Sequence, residues 1–220
     1  MSKRFISFLM AVMVMIGCTA APAFAEDAEE PDLHCKAALL VDTKTEQVIY
    51  EKNSHKKLPM ASLTKMMTCL LVMDNLDLNK KVTIPAEATG YIGSAIGLKK
   101  GEVFTVEELL NALMIYSAND CAVALGIETA GSHLKFVEMM NARAEELGLE
   151  NTFFLNANGF TNDKDHHTTA NDLYVIAKMI MQYPEVKKIT SKKSFTMPET
   201  TESGPRKLET TNGLLKKKMH

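Results

Sequence analysis

Between Ser62 and about Leu76 the chain is apolar nearly all round, with Leu63, Met66, Met67, Cys69, Leu70, Leu71, Val72 and Met73 leaving no polar face of the width a surface helix needs. A helix of this kind must be surrounded, so the rest of the chain has to pack on most of its sides. With 220 residues, 46% of them hydrophobic, there is material for one domain of ordinary size or part of a larger one. The formal net charge is −2 and charges are spread along the chain. This gives no basic field for nucleic acid and no acidic block of the kind found in disordered tails.

The packing elements follow in order. Lys36 to Asp42 and Gln47 to Glu51 flank Thr43 to Glu46 as a β-hairpin with a short polar turn. Val82 to Pro85 is extended, and residues 88–101 hold four glycines in a loop-rich excursion. Thr105 and Glu108 have capping-box spacing at the start of Val106 to Ile115. A break at Tyr116-Ser117-Ala118 precedes a second apolar helix, Asn119 to about Thr129, stopped by Gly131. Ser132 caps Leu134 to Leu147, and Thr168 or Thr169 caps Ala170 to Gln182. Lys192 to Leu208 is polar with short extended stretches. The reading is an α+β domain over residues 34–220, an N-terminal hairpin plus a largely helical region. A two-stranded hairpin is marginal alone, so the remaining sheet strands are expected beyond residue 220.

The first 25 residues read as a signal peptide. Lys3 and Arg4 precede the apolar run Phe5 to Ile16, and Ala23-Phe24-Ala25 forms a cleavage site before an acidic linker over residues 26–33. Gly17, Thr19 and Pro22 break the run before it reaches spanning length. Cys18 in a weak lipoprotein-like context is the lesser alternative. An exported chain with three remaining cysteines, Cys35, Cys69 and Cys121, cannot pair them all internally, and Cys69 and Cys121 fall in apolar helical patterns.

The chemistry centres on Ser62-Leu63-Thr64-Lys65 at the start of the buried helix. Positions i and i+3 share a helix face, so the Lys65 amine can approach the Ser62 hydroxyl. Burial lowers a lysine pKa and makes it a usable base. The helix start also favours an oxyanion forming beside Ser62. Two other pairs have the same spacing. Ser54 and Lys57 lie in a polar loop that would not desolvate the lysine, and Ser132 is better explained as a cap with Lys135 in the first turn. Ser117-Ala118-Asn119, in the break between two apolar helices, either caps a helix or aims a hydroxyl and an amide into a confined space. His166-His167 beside Asp163 and Asp165 reads as a solvated loop, since adjacent histidines lack ligand spacing. No metal or cofactor is expected.

Together S-x-x-K and S-x-N resemble the serine DD-peptidase and β-lactamase superfamily. The resemblance is wider than the motifs. Ala37 to Asp42, Leu58 to Thr68, Gly97 to Glu102, Ser117 to Asp120 and Thr168 to Leu173 all look like D-alanyl-D-alanine carboxypeptidases, also known as low-molecular-mass penicillin-binding proteins. That resemblance implies Ser62 as nucleophile, Lys65 as general base, Ser117 as proton relay and Asn119 as the residue that positions the substrate carbonyl. It implies a peptidoglycan stem peptide ending in D-Ala-D-Ala as substrate, and β-lactams as covalent inhibitors. The E-x-x-L-N element of class A β-lactamases is absent between Glu146 and Asn171, which favours the peptidase.

The family's third motif, K-T-G, does not occur in these residues, nor do the C-terminal β domain and membrane-binding helix that the family often carries. Thr211 to Leu215 looks like the segment that precedes K-T-G. Losing one oxyanion donor typically costs about 10²–10³ in rate, so little turnover is expected of the 220 residues alone. The alternative reading is a non-catalytic remnant that binds peptidoglycan or a partner.

Overall fold

The computed structural model describes residues 33–216, so the signal peptide, the linker up to Pro31-Asp32, Cys18 and the Lys217-Lys218 tail lie outside the described residues. The chain divides into two units, Met1–Cys35 and Lys36–His220. Of the first, only an exposed turn at Leu33–Cys35 is described.

The second unit is α+β. Its centre is α1, Lys65–Asn75, entered through a 3₁₀ turn at Ala61–Thr64. Met67, Cys69, Leu70 and Val72 are fully enclosed, as an all-round apolar helix requires. It packs against α3 (Asn119–Ala130), α4 (His133–Glu146) and α5 (Ala170–Ile180). Between α1 and α3 in sequence stands α2, Val106–Asn111, whose Thr105–Glu108 capping box has both reciprocal hydrogen bonds. The cap residues Ser132 and Thr169 accept the amides of Lys135 and Asp172. α6, Pro184–Thr190, follows α5.

Eight short strands form four separate antiparallel pairs among the described residues. β1 (Ala38–Val41) pairs with β2 (Val48–Lys52), and the register shifts between Leu40 and Val41. The Asp42 carboxylate accepts the amides of Lys44 and Thr45 and closes the turn. The hairpin leaves Leu40, Val48 and Ile49 roughly half exposed or more, at 54%, 49% and 61%. β3 (Leu58–Pro59) pairs with β6 (His167–Thr168), which ties the approach to Ser62 to a distant segment. β4 (Lys81–Thr83) pairs with β5 (Val103–Thr105), and β7 (Ser194–Met197) with β8 (Arg206–Glu209).

The β7–β8 hairpin is fastened to the 97–102 turn by a buried carboxylate. Glu102 accepts two bonds from Arg206 at 2.8 and 2.9 Å, one from Thr200 and one from Ser203, and also the Lys99 amide. Burial alone would raise this carboxyl, but those donors outweigh it and hold the pKa at about 2.

Candidate active site

Three pieces of chain meet at Ser62. The first is the turn that presents it. Ala61, immediately before, has a φ of 46°, a left-handed conformation that alanine avoids because its Cβ crowds the backbone. The carbonyl of Ala61 is fixed by the Thr64 hydroxyl at 2.7 Å. Ser62 itself is exposed, as a nucleophile must be.

Lys65 sits on the first turn of α1, only 3% exposed. Its Nζ donates to Ser62 Oγ (3.0 Å), Asn119 Oδ1 (2.8 Å) and the carbonyl of Asn158 (2.9 Å). An ammonium has three protons, and all three are used. Desolvation pulls its pKa from 10.5 to about 8, while the Asp120 carboxylate acts in the opposite direction. In the neutral amine two N–H bonds to Asn119 and Asn158 persist, and the lone pair is left facing the Ser62 hydroxyl. That is the arrangement required to take the hydroxyl proton.

The second piece is the break before α3. Residues Ala112–Tyr116 form a π-helical turn, a local widening often found at functional sites. It ends at Ser117, held in the left-handed region at φ 65°. The Ser117 Oγ is buried without a hydrogen-bond partner among the described residues. It lines a cleft of about 350 Å³ together with Ser62, Lys65, Met66, Leu113, Met114 and Thr211. Asn119 Oδ1 accepts from Lys65 and Nδ2 donates to the carbonyl of Ile92 at 3.0 Å, which leaves one Nδ2 proton. The 92–98 loop is clamped to this motif, because Asp120 Oδ2 accepts the amides of Ile96 and Leu98 and the Asn119 amide donates to Ser94. All four residues picked out in the sequence, Ser62, Lys65, Ser117 and Asn119, therefore border one cleft or one hydrogen-bond network.

The third piece, residues 152–168, was not visible from local pattern. The expectation of a solvated loop at His166-His167 is overturned for His166, which is 2% exposed. Its Nε2 lies 2.7 Å from Thr64 Oγ1, and its Nδ1 accepts the Leu155 amide at 3.0 Å. Gly159 passes behind Ser62 so closely that a Cβ there would lie 1.8 Å from the Ala61 carbonyl oxygen. Neither of the other two serine–lysine pairs forms a bonded pair like Ser62 and Lys65. Ser54 is buried, bonded to Glu51, but Lys57 is exposed, and Ser132 is a helix cap. No cluster of potential metal ligands occurs among the described residues. The described cysteines Cys35, Cys69 and Cys121 are free thiols, with Cys69 and Cys121 buried.

Known proteins share this fold. Penicillin binding protein 6B from Escherichia coli superposes with a TM-score of 0.79 at 31% identity, covering 89% of this chain and 63% of that one. A D-alanyl-D-alanine carboxypeptidase from Mycobacterium tuberculosis does so at 0.80 and 28% identity, covering 87% and 72%. The fold is that of the penicillin-binding proteins. D-alanyl-D-alanine carboxypeptidase DacF of Bacillus subtilis is 37% identical over 209 residues, 91% of this chain and 53% of the relative. The sequence pattern of the D-alanyl-D-alanine carboxypeptidase family matches residues 24–220, and the chain belongs to that family. It spans about half the length of the curated relatives it matches.

Proposed function

We propose that this chain carries the nucleophilic half of a serine D-alanyl-D-alanine carboxypeptidase that acts on peptidoglycan stem peptides. The observation that carries the reading is the exposed Ser62 hydroxyl 3.0 Å from a buried Lys65 amine whose other two protons are already committed. Neutral Lys65 takes the Ser62 proton as Oγ attacks the carbonyl carbon of the penultimate D-alanine. The C–N bond breaks, the departing D-alanine nitrogen receives a proton through Lys65 and Ser117, and water then hydrolyses the ester. Asn119 keeps Lys65 aimed and offers its spare Nδ2 proton to the substrate. β-Lactams would acylate the same oxygen. Residues 1–25 act as an export signal removed after Ala25, which places the domain on the outer side of the cytoplasmic membrane. Among the described residues no helix is long and apolar enough to cross a membrane.

The test is covalent labelling with a fluorescent penicillin, read by intact mass and by peptide mapping. An adduct on Ser62 that disappears in S62A supports the reading. If the 220-residue chain does not label, a chimera completed with the remaining part of DacF decides the matter. A folded chimera that leaves Ser62 unmodified overturns the enzymatic reading in favour of a binding role.

A further inference from the structure

The neutral imidazole of His166 has one ring proton, and its place follows from its partners. The Leu155 amide can only donate, so Nδ1 must present a lone pair, and the proton sits on Nε2. Nε2–H then donates to Thr64 Oγ1, whose own proton goes to the Ala61 carbonyl. A directed chain thus runs from the Leu155 amide through His166 and Thr64 to the peptide group just before Ser62. Leu155, His166 and Thr64 are buried or half-buried, and the run ends on exposed Ala61, the residue with the unfavourable φ. We propose that His166 is a positioning residue for Ser62: through Thr64 it holds the Ala61 carbonyl, and it releases the nucleophile turn when its ring takes up a second proton.

The inference rests on the reading of Ser62 as nucleophile and deepens it. An alanine held in the left-handed region is strained and persists only when its surroundings impose it. Thr64 alone does not impose it, since a free hydroxyl can rotate to other acceptors. With Nε2–H donating into its oxygen, the threonine proton has one direction left. Gly159 closes the other side of the same carbonyl, in a segment whose next residue inward, Asn158, accepts from Lys65. Protonation puts a hydrogen on Nδ1 facing the Leu155 N–H. Two donors then point at each other, so the ring or the 155–159 backbone must move, and the Asn158 acceptor with it.

The surroundings favour the neutral ring. Burial lowers the His166 pKa from 6.5, the neighbouring charge of His167 lowers it further, and Asp163 acts in the other direction. The elements packed on it add the neutral Thr64 hydroxyl, the Leu155 amide and the Phe154 ring, edge-on at 6.1 Å. The release therefore belongs to acid conditions, below the ordinary histidine range.

The experiment combines ring and backbone NMR of the folded ¹⁵N-labelled chain with penicillin acylation rates between about pH 5 and pH 8. The expected spectrum shows the Nε2–H tautomer, with the Ser62 and Leu63 amide shifts following the ring titration in wild type and ceasing to follow it in T64V. Acylation of wild type should show, on top of the fall that Lys65 protonation imposes at every pH below about 8, a further drop of about 10-fold through the ring titration, the size expected of a misplaced nucleophile. H166Q, which keeps an N–H donor but cannot take up a proton, should lack that further drop and follow the Lys65 dependence alone. An Nδ1–H ring, Ser62 and Leu63 amides indifferent to its titration, or the same further drop in H166Q would overturn the proposal. If no variant of the chain or of the chimera acylates, the enzymatic reading fails, and the NMR result still decides whether His166 governs the turn.

Discussion

Gly159 faces the Ala61 carbonyl at a distance that admits no side chain, since a Cβ would come within 1.8 Å of the oxygen and 2.7 Å of Thr64 Oγ1. The two residues are almost a hundred positions apart, and their contact sets how far Ser62 can retreat into the domain.

G159A should therefore damage both fold and site. Its φ of 80° already penalises alanine, and the two nearest obstructing atoms are backbone, which cannot swing aside. A loss of about 3 kcal/mol is expected from overpacking, with at least a ~10²-fold loss of Ser62 labelling from displacement of the nucleophile. Gly131 has the same φ with open space around it, so G131A is the control. It should cost only about 1 kcal/mol and leave labelling unchanged. Thermal unfolding and labelling rates check both variants.

The acylation rate should climb with pH with its midpoint near 8 and level off about one unit higher, because only neutral Lys65 has a lone pair for the Ser62 proton. K65R, which stays protonated, should lose at least about 10²-fold. Stability carries the same signature. The folded pKa lies below the ordinary 10.5, so between about 8 and 10.5 the unfolded chain binds more protons and this group makes stability rise with pH. Urea midpoints of wild type should rise relative to K65M across that window.

S117A should separate activity from stability. The hydroxyl is buried with no partner among the described residues, so its removal should leave the melting temperature unchanged or higher. Acylation should nevertheless fall by about 10²-fold, the usual scale for a lost proton-transfer group. A parallel loss of stability would show that the hydroxyl has a structural bond instead.

R206M should cost about 3 kcal/mol by stranding the buried Glu102 carboxylate. Glu102 in the folded chain titrates at about 2, below its ordinary 4.5, so its contribution is complete above 4.5 and disappears as pH falls towards 2. Circular dichroism during acid titration should show a steeper loss for wild type than for E102Q over that interval.

Much of this was legible in the chain because it is local. The apolar run after Ser62 announced a buried helix, hence a buried lysine at i+3, and the caps at Thr105, Ser132 and either Thr168 or Thr169 follow from side chains that reach three residues; the structure selects Thr169. What stayed hidden depends on segments far apart in sequence. His166 lies amid Asp163, Lys164 and Asp165 and looks solvated, yet its partner Thr64 comes from another part of the fold. The Glu102–Arg206 clamp spans a similar separation. The π-helical turn before Ser117 has no composition signal, because Ala112 to Tyr116 is as apolar as an ordinary helix. Each of these is a tertiary decision that propensity does not encode.

The β1–β2 hairpin has a consequence of a different kind. Among the described residues its two strands pair with no third, and Leu40, Val48 and Ile49 are exposed on a ribbon that α5 touches and that Glu46 ties to Tyr174 and Lys178. Uncovered strand edges with apolar side chains are templates for pairing with another chain. For these 220 residues taken alone the consequence is colloidal: self-association should rise with concentration, with that ribbon as one site of it.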